Sequence, residues 1–197
     1  MLKLARTITE RLSRGRSLVR RLPPQFGKHS LVVSPDAALR WLRPSSEAFE
    51  AELLCAVDAL IRPGDVVWDL GANVGAFGVP AAIRSGSTTI FVEADAFLAE
   101  LLRRTAKHRS NVGLDLRVLC AAIGDHDGVF EFAIAGRGRA SSGLVESSLS
   151  TQHGRTRQRL LVPGLRADTL LANQPAPAVV KAILKAPSIC FCRAPMS

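Results

Sequence analysis

The sequence predicts an α/β protein built on an open, mostly parallel β-sheet. The chain of 197 residues is long enough for one compact domain, and its 47% hydrophobic and 22% charged residues are typical of a globular protein. Between residues 66 and 122, short apolar runs alternate with amphipathic helical patterns, which is typical of successive β-α-β units. A glycine-containing turn follows the first of these strands, as it does at the nucleotide-binding crevices of such sheets.

Helices and strands alternate regularly through the middle of the chain. Apolar residues recur on one helical face from Glu47 to Ile61, and the Arg-Pro-Gly-Asp sequence at 62–65 ends this predicted helix. The predicted elements that follow are a strand at 66–70, a helix at about 77–84, a strand at 89–93, a helix at 96–108 and a strand at 116–122. Helices between parallel strands are expected to cover both faces of the sheet.

The pattern changes after residue 122. Two predicted strands, at 129–134 and 159–162, bracket a loop rich in Gly, Ser and Arg at 136–154. A short helical turn at 168–171 and a Pro-Ala-Pro sequence at 175–177 precede another buried strand, which begins at 178–181. The fourth strand of the main sheet is therefore expected near Val179.

The basic residues are concentrated at the N-terminus. Residues 1–43 hold ten of the 26 Lys and Arg residues and only two acidic residues, whereas residues 44–197 hold sixteen basic and fifteen acidic side chains. This distribution argues against a basic, nucleic-acid-binding body and predicts a basic N-terminal extension and linker over 1–43.

The extension has the spacing of a basic amphipathic helix over 2–22, which Pro23 and Pro24 end. Residues 25–44 are predicted as a linker or short irregular strands. A helix of this kind lies on an anionic membrane or on RNA, or acts as a transit peptide. A solvated, poorly ordered leader explains the pattern equally well.

Composition argues against several other classes. No apolar run approaches the roughly 18 residues of a membrane-spanning helix, and no segment near the start has the flanks of a secretory signal. The four cysteines have neither the density of a disulfide framework nor the C-x-x-C spacing of a zinc site; they are Cys55, Cys120, Cys190 and Cys192. We therefore expect a cytoplasmic protein with reduced thiols and no metal site.

The most informative stretch is the turn Gly71-Ala72-Asn73-Val74-Gly75, which follows the strand at 66–70. Asp69 stands at the exit of that strand, where we expect its carboxylate to project toward a cationic ligand group. Asn73 occupies the position that a G-x-G-x-x-G dinucleotide fingerprint gives to glycine, which argues against NAD. Glu93 ends the next strand about 20 residues on, where an acidic side chain can accept both hydroxyls of a ribose. Adenosine carrying a positively charged amino acid, as in S-adenosylmethionine, fits all three.

These residues also resemble a known family. The sequence RPGDVVWDLGANVG at 62–75, then FVEAD at 91–95 and AAIGD at 121–125, is similar to successive motifs of the FkbM-type methyltransferases. The resemblance implies a class I, Rossmann-like enzyme over about 47–181 with S-adenosylmethionine as cofactor. It assigns Asp69, Gly71 and Asn73 to the loop around the methionine moiety and Gly75 to the start of the next helix. It assigns Glu93 to the ribose and the backbone at 121–122 to the adenine. The cofactor-binding residues that it implies are Asp69, Gly71, Ala72, Asn73, Gly75, Glu93 and Ala122.

Two of these residues also have purely structural interpretations. Asp69 is placed to cap the turn that follows it, and Glu93 is explained as a polar residue at the end of a strand. Each interpretation is plausible alone, but the joint spacing of the two carboxylates favours ligand binding.

The resemblance implies O-methylation of a hydroxyl on a small molecule or a sugar. The sulfonium makes the methyl group electrophilic, so the protein chiefly aligns the acceptor oxygen with it. No catalytic residue is assigned, because the histidines lie in a linker, a helix end and two turns; they are His29, His108, His126 and His153.

Two other functions compete with this one. The first is a non-catalytic α/β module that binds nucleic acid or an anionic surface. Its basic leader would make the contact together with Arg155, Arg157 and Arg159. The second is an NAD-dependent enzyme, which Asn73 disfavours.

The C-terminal residues depart from the family pattern. In the family, the strand at 179–181 runs into an Asp-x-Glu-Gly-x-Glu motif beside the cofactor, whereas here Ala182 leads to ILKAPS at 183–188, without an acid and without a helix or strand pattern. With freely chosen synonymous codons, Ala-Asp-Ile-Glu-Gly-Ala-Glu can be encoded by GCG-GAT-ATT-GAA-GGC-GCC-GAG-C. Loss of one G after the first of these codons then gives the residues found at 182–188. We therefore expect 44–181 to be an incomplete methyltransferase domain, 182–197 to be an out-of-frame tail, and the later strands of the sheet to be missing.

Overall fold

The computed structural model describes residue 9 and residues 12–43, 45–136, 138–145, 156–185 and 188–194. The strands are β1 (Leu18–Arg21), β2 (Ser30–Val33), β3 (Val67–Leu70), β4 (Thr89–Val92), β5 (Leu116–Leu119), β6 (Ala122–Ile123), β7 (Gly128–Ala135), β8 (Gly143–Leu144), β9 (Thr156–Leu165), β10 (Val179–Lys185) and β11 (Ser188–Arg193). The α-helices whose whole length lies in these residues are α1 (Ala51–Leu60), α2 (Gly78–Ser85), α3 (Ala96–Ala106) and α4 (Ala167–Asn173). None of these helices is long and apolar enough to cross a bilayer.

A five-stranded sheet forms the centre of the molecule, in the order β5-β4-β3-β10-β11. The first four strands are parallel, and β11 pairs antiparallel with β10. The chain begins this sheet at β3, moves outward through β4 to β5, and returns on the other side of β3 as β10. Such a reversal of strand order creates the ligand crevice of doubly wound sheets, and the predicted Rossmann-like α/β class is confirmed.

The helices between the parallel strands have well-defined ends. The Asp95 side chain accepts a hydrogen bond from the Phe97 amide (2.9 Å) and caps the start of α3. In α2, Gly86 is left-handed (φ 63°) and its amide donates to the Ala82 carbonyl, which ends the helix. Both helices agree with their predicted ranges to within two residues.

A second, four-stranded sheet has the order β6-β9-β7-β8, and its main pair, β7 and β9, is antiparallel. The predicted strands at 129–134 and 159–162 are confirmed, and both are longer than predicted. The sheet has its own hydrophobic cluster, formed by Ala94, Ala122, Phe130, Phe132, Ile134 and Val162. Residues 146–155 of the predicted Gly/Ser/Arg-rich loop lie outside the described residues.

The N-terminal segment differs from its prediction. Residues 18–21 do not continue a helix but form β1, which pairs antiparallel with β2, and all four residues of β2 are buried. Leu22, Phe26 and Trp41 belong to the same hydrophobic cluster as residues of β3 and α3, so this segment packs on the core. Of the two alternatives predicted for residues 25–44, short strands agree with β2 and a linker does not. The reason lies in tertiary contacts: β2 is buried beside α3, where Thr105 Oγ1 accepts the Val32 amide (2.8 Å), and β1 pairs with this buried strand. The β-branched Val19, Val32 and Val33 suit strands. Most of the predicted helix before residue 12 lies outside the described residues.

The C-terminal residues also differ from their prediction, because they form strands. Residues 183–185 continue β10 beyond its last pair with β3, Ala182 with Leu70, and residues 188–193 form β11 at the edge of the sheet. The Phe191 ring packs against the Phe77 ring, and Arg193 Nη1 lies 2.6 Å from Asp65 Oδ2. The expectation that 183–188 lack strand structure is therefore wrong for residues 183–185 and 188, because the alternate residues of β11 find partners in the core.

Candidate functional site

The candidate site lies where β3, β4 and β10 end on the same edge of the main sheet. The turn from Gly71 to Gly75 occupies this edge. Three of its residues have positive φ: 68° at Gly71, 55° at Asn73 and 81° at Gly75. A Cβ on Gly75 would lie 2.9 Å from a Leu102 methyl, so both the angle and the packing require glycine there. Asn73 is the non-glycine residue type that tolerates this conformation best. Two glycines and an asparagine thus supply the left-handed positions of a tight turn at the end of β3.

Asp69 does not project into the crevice as expected. Its side chain is fully buried, Oδ1 lies 2.8 Å from Lys181 Nζ, and Oδ2 accepts a hydrogen bond from the Gly78 amide (3.0 Å). The carboxylate therefore caps the start of α2, which is the structural alternative to ligand binding. The cause is the register of the sheet, because Asp69 pairs directly with Lys181 on the parallel strand β10 and a buried carboxylate needs a cationic partner.

Lys181 is a site residue that the sequence reasoning missed. Its side chain is almost fully buried, and Nζ also donates to the Gly71 carbonyl (2.9 Å). One ammonium thus joins β10, β3 and the first residue of the turn. The sequence signal is a lysine that directly follows the apolar residues of the predicted strand at 178–181. Because a lysine is almost never buried unless it is paired, a lysine at this place predicts an acidic partner on a neighbouring strand.

Glu93 lies where the sequence predicts, at the end of β4 and beside the turn. Its side chain is 6% exposed; Oε2 accepts the Asn73 amide at 2.7 Å, and Oε1 accepts the Asp95 amide at 2.9 Å. Burial raises the pKa of Glu93 to about 7, because the charged form loses its hydration. The carboxyl group therefore holds together the two loops that form the crevice.

The predicted adenine-flanking residues lie beside Glu93. The Ala121 amide donates to the Glu93 carbonyl (3.1 Å), which ties the end of β5 to the end of β4. Ala122 begins β6 and packs in the same hydrophobic cluster as Ala94. The structure thus brings Gly71, Ala72, Asn73, Gly75, Glu93 and Ala122 to one edge of the sheet, while Asp69 lies beneath it.

Two arginines pair with two buried aspartates beside the site, and the sequence reasoning missed this network. Arg139 Nη1 donates to both Asp95 oxygens (2.7 and 2.6 Å), and its Nε donates to Asp36 Oδ2 (3.0 Å). Arg157 Nη1 lies 3.1 Å from Asp36 Oδ2. The pairs join the N-terminal segment, the start of α3 and the second sheet. They are contacts between residues far apart in sequence, which leave no local pattern.

The described histidines are occupied elsewhere. His29 Nδ1 lies 3.2 Å from Asn111 Oδ1, and His108 Nδ1 lies 2.8 Å from Ser110 Oγ. His126 Nδ1 lies 2.7 Å from Asp125 Oδ1. His153 lies outside the described residues. In the part of the chain that the structure describes, no group of three or more His, Cys, Asp or Glu residues is placed to hold a metal ion.

The sequence matches no protein-family model and no curated protein. Solved structures that resemble part of the chain include two methyltransferases. The Pyrococcus abyssi tRNA (uracil-54, C5)-methyltransferase in complex with S-adenosyl-L-homocysteine is 21% identical, with a TM-score of 0.37 over 51% of this chain and 22% of that one. A putative protein-L-isoaspartate O-methyltransferase from Plasmodium falciparum, also in complex with S-adenosyl-L-homocysteine, is 19% identical, with a TM-score of 0.32 over 40% of this chain and 39% of that one. The chain therefore spans well under half the length of either structure.

Proposed function

We propose that this chain is the cofactor-binding part of an S-adenosylmethionine-dependent methyltransferase that resembles the FkbM type and acts on a hydroxyl of a small molecule or a sugar. One observation carries the proposal: at the reversal of strand order between β3 and β10, the left-handed turn at 71–75 is hydrogen-bonded to a glutamate at the end of the adjacent strand. Doubly wound proteins bind nucleosides at this place, with the ribose on such an acidic residue.

The residues of the crevice fit an adenosine better than they fit an amino-acid ammonium. Each Glu93 oxygen accepts one amide and keeps a second lone pair, which leaves two acceptors for the two hydroxyls of a ribose. Asp69 does not fit the role of ammonium partner, because its carboxylate is fully buried and its charge is already paired with Lys181. Oδ2 accepts the Gly78 amide, and Oδ1 lies 2.8 Å from Lys181 Nζ without a hydrogen bond.

Methyl transfer depends mainly on the alignment of the reacting atoms and requires few side chains. A bound S-adenosylmethionine supplies an electrophilic methyl group, and this chain's residues fix the position of its carrier. Alignment of the reacting atoms contributes about 7 kcal/mol or more to such reactions. The turn at 71–75 and Glu93 are the described residues that would supply the alignment, and no general base is assigned.

The proposal includes the loss of one nucleotide after the codon of Ala182. This residue is the last one of β10 that pairs with β3, so the change of frame would fall where the strand reaches the crevice. Sequencing of the gene tests it: we expect the alternate frame after this codon to encode an Asp-Ile-Glu-Gly-Ala-Glu-type segment and further strands. An alternate frame without such a segment would overturn this part of the proposal.

Calorimetric titration tests cofactor binding. S-adenosylmethionine should give saturable heat and NAD should not, and Glu93→Ala should weaken binding by about tenfold to a hundredfold, because a charge-assisted contact contributes about 1.5 to 3 kcal/mol. Asp168→Ala is the matched control, since this exposed carboxylate pairs with Arg166 on the surface. Equal affinity in both variants, or binding of NAD in preference, would reject the proposal.

A further inference from the structure

Two segments far apart in sequence form one strongly basic surface. Residues 12–33 and 103–114 together hold nine Lys and Arg residues and no Asp or Glu, whereas the rest of the chain holds 17 basic and 17 acidic residues. The whole formal net charge of +9 is thus accounted for by these two segments, which we call the basic surface. Its exposed cations are Arg14, Arg16, Arg21, Lys28, Arg104, Lys107 and Arg109.

Hydrogen bonds hold the two segments together. Arg104 Nη1 donates to Ser17 Oγ (3.0 Å), which places the last turn of α3 against the start of β1. The Asn111 side chain donates to the Ser30 carbonyl (2.8 Å), and Ser30 is the partner of Arg21 across the β1–β2 ribbon. The cations therefore belong to one continuous, fixed surface.

Large apolar side chains stand exposed among these cations. Leu12 is 67% exposed, Val19 50% and Val112 81%. Phe26 is the one Phe, Tyr or Trp residue in the two segments, and it is buried. The rings of His29 and His108 are half-buried and contact Asn111 and Ser110. A surface that binds single-stranded nucleic acid stacks bases on exposed aromatic rings, whereas one that binds an anionic bilayer combines cations with aliphatic residues that enter the headgroup region. The composition favours the bilayer.

We propose that the basic surface docks this protein on an anionic lipid bilayer, with the cations facing acidic headgroups and Leu12, Val19 and Val112 entering the interface. Docking in this orientation leaves the crevice accessible. Asp95 caps the start of α3 beside Glu93, and the basic surface contains the other end of that 11-residue helix, about 16 Å away. The proposal is independent of the cofactor.

Vesicle sedimentation with the full chain tests it. We expect binding to phosphatidylcholine vesicles that contain phosphatidylserine, little binding to phosphatidylcholine alone, and a loss of binding as salt is added. The triple variant Lys28→Gln/Lys107→Gln/Arg109→Gln should bind about a hundredfold more weakly, since each cation near such a surface contributes about fivefold. Val112→Ser should weaken binding by about fivefold with no change in net charge.

The matched control removes three cations elsewhere on the surface. Arg84→Gln/Arg117→Gln/Arg166→Gln has the same net charge as the first triple variant, and these arginines pair with Asp58, Asp115 and Asp168. We expect its vesicle binding to change by less than about threefold. Equal losses in the two triple variants, no effect of Val112→Ser, or binding of a single-stranded RNA oligonucleotide in preference to the vesicles would each overturn the proposal. Unchanged thermal unfolding of the variants excludes a folding defect.

Discussion

Asp69 and Lys181 face each other across β3 and β10 with almost no exposure to water. Removing one partner of a buried ion pair leaves the other charge uncompensated, at a cost of about 3 to 5 kcal/mol. We therefore expect Asp69→Asn and Lys181→Met each to lower the free energy of unfolding strongly. The double variant should lose less than the sum of the two, because it leaves no unpaired charge behind.

Urea denaturation of the four proteins in this cycle measures the coupling. The exposed pair Asp115 and Arg117 provides the control, and its coupling should stay below about 1 kcal/mol. Additive losses at Asp69 and Lys181 would show that the two side chains do not depend on each other.

Glu93 should make stability depend on pH. Its pKa is raised to about 7 in the folded protein, against about 4.3 in an unfolded chain, so between these values the folded state holds a proton that the unfolded state has lost. The stabilisation is complete below pH 4, and it is lost as the pH rises through about 7. The total loss is about 4 kcal/mol.

Comparison with Glu93→Gln isolates this effect, because the other titrating groups are the same in both proteins. From pH 5 to pH 8, the free energy of unfolding of the wild type should fall by about 3 kcal/mol relative to that of the variant. Parallel pH curves would mean that Glu93 titrates as an ordinary exposed carboxylate.

At the scale of the elements, α2 can approach β4 only because its first residue has no side chain. A Cβ on Gly78 would lie 2.3 Å from Phe91 Cε1 and 2.8 Å from Asp69 Oδ2. Gly78→Ala should therefore lower the free energy of unfolding by about 1 to 3 kcal/mol or more, although alanine favours helices. In Gly143→Ala the added Cβ meets no atom within 4 Å, and we expect a change below about 0.5 kcal/mol. Equal effects in thermal unfolding would contradict the close packing of α2.

The elements that the sequence predicts correctly are those with a local pattern. The strands of the main sheet are short apolar runs, and helix α3 has a capping aspartate and a regular apolar stripe. The same reasoning locates the turn at 71–75 and Glu93, since both lie at strand ends that can be read along the chain.

Contacts between distant residues explain what the sequence does not reveal. The role of Asp69 depends on which strand lies beside β3, and only the register with β10 shows that Lys181 is its partner. The hairpin of β1 and β2 is likewise fixed by α3, where Thr105 Oγ1 accepts the Val32 amide (2.8 Å). A basic stretch with regularly spaced leucines looks like a surface helix until the partner of its apolar side is known.

On the scale of the whole molecule, the N-terminal segment and the main sheet share one hydrophobic cluster. Leu22 is 3% exposed within it, whereas Val19 on the same hairpin is half exposed. Leu22→Ala should lower the free energy of unfolding by about 2 to 5 kcal/mol, and Val19→Ala by less than about 0.5 kcal/mol. Similar values for the two in urea denaturation would show that the hairpin is not part of the core.

Deletion of residues 1–22 is the stronger test of a shared core. A separate basic leader would leave the unfolding of the main sheet unchanged when it is removed. Here the deletion takes away β1 and Leu22, exposes the edge of β2 and opens the cluster that contains Phe26 and Trp41. Because a domain of this size has only about 5 to 15 kcal/mol of stability, we expect the shortened chain to lose cooperative thermal unfolding or to aggregate. A shortened chain with the wild-type unfolding midpoint would mean that the hairpin packs on a core that is already complete without it.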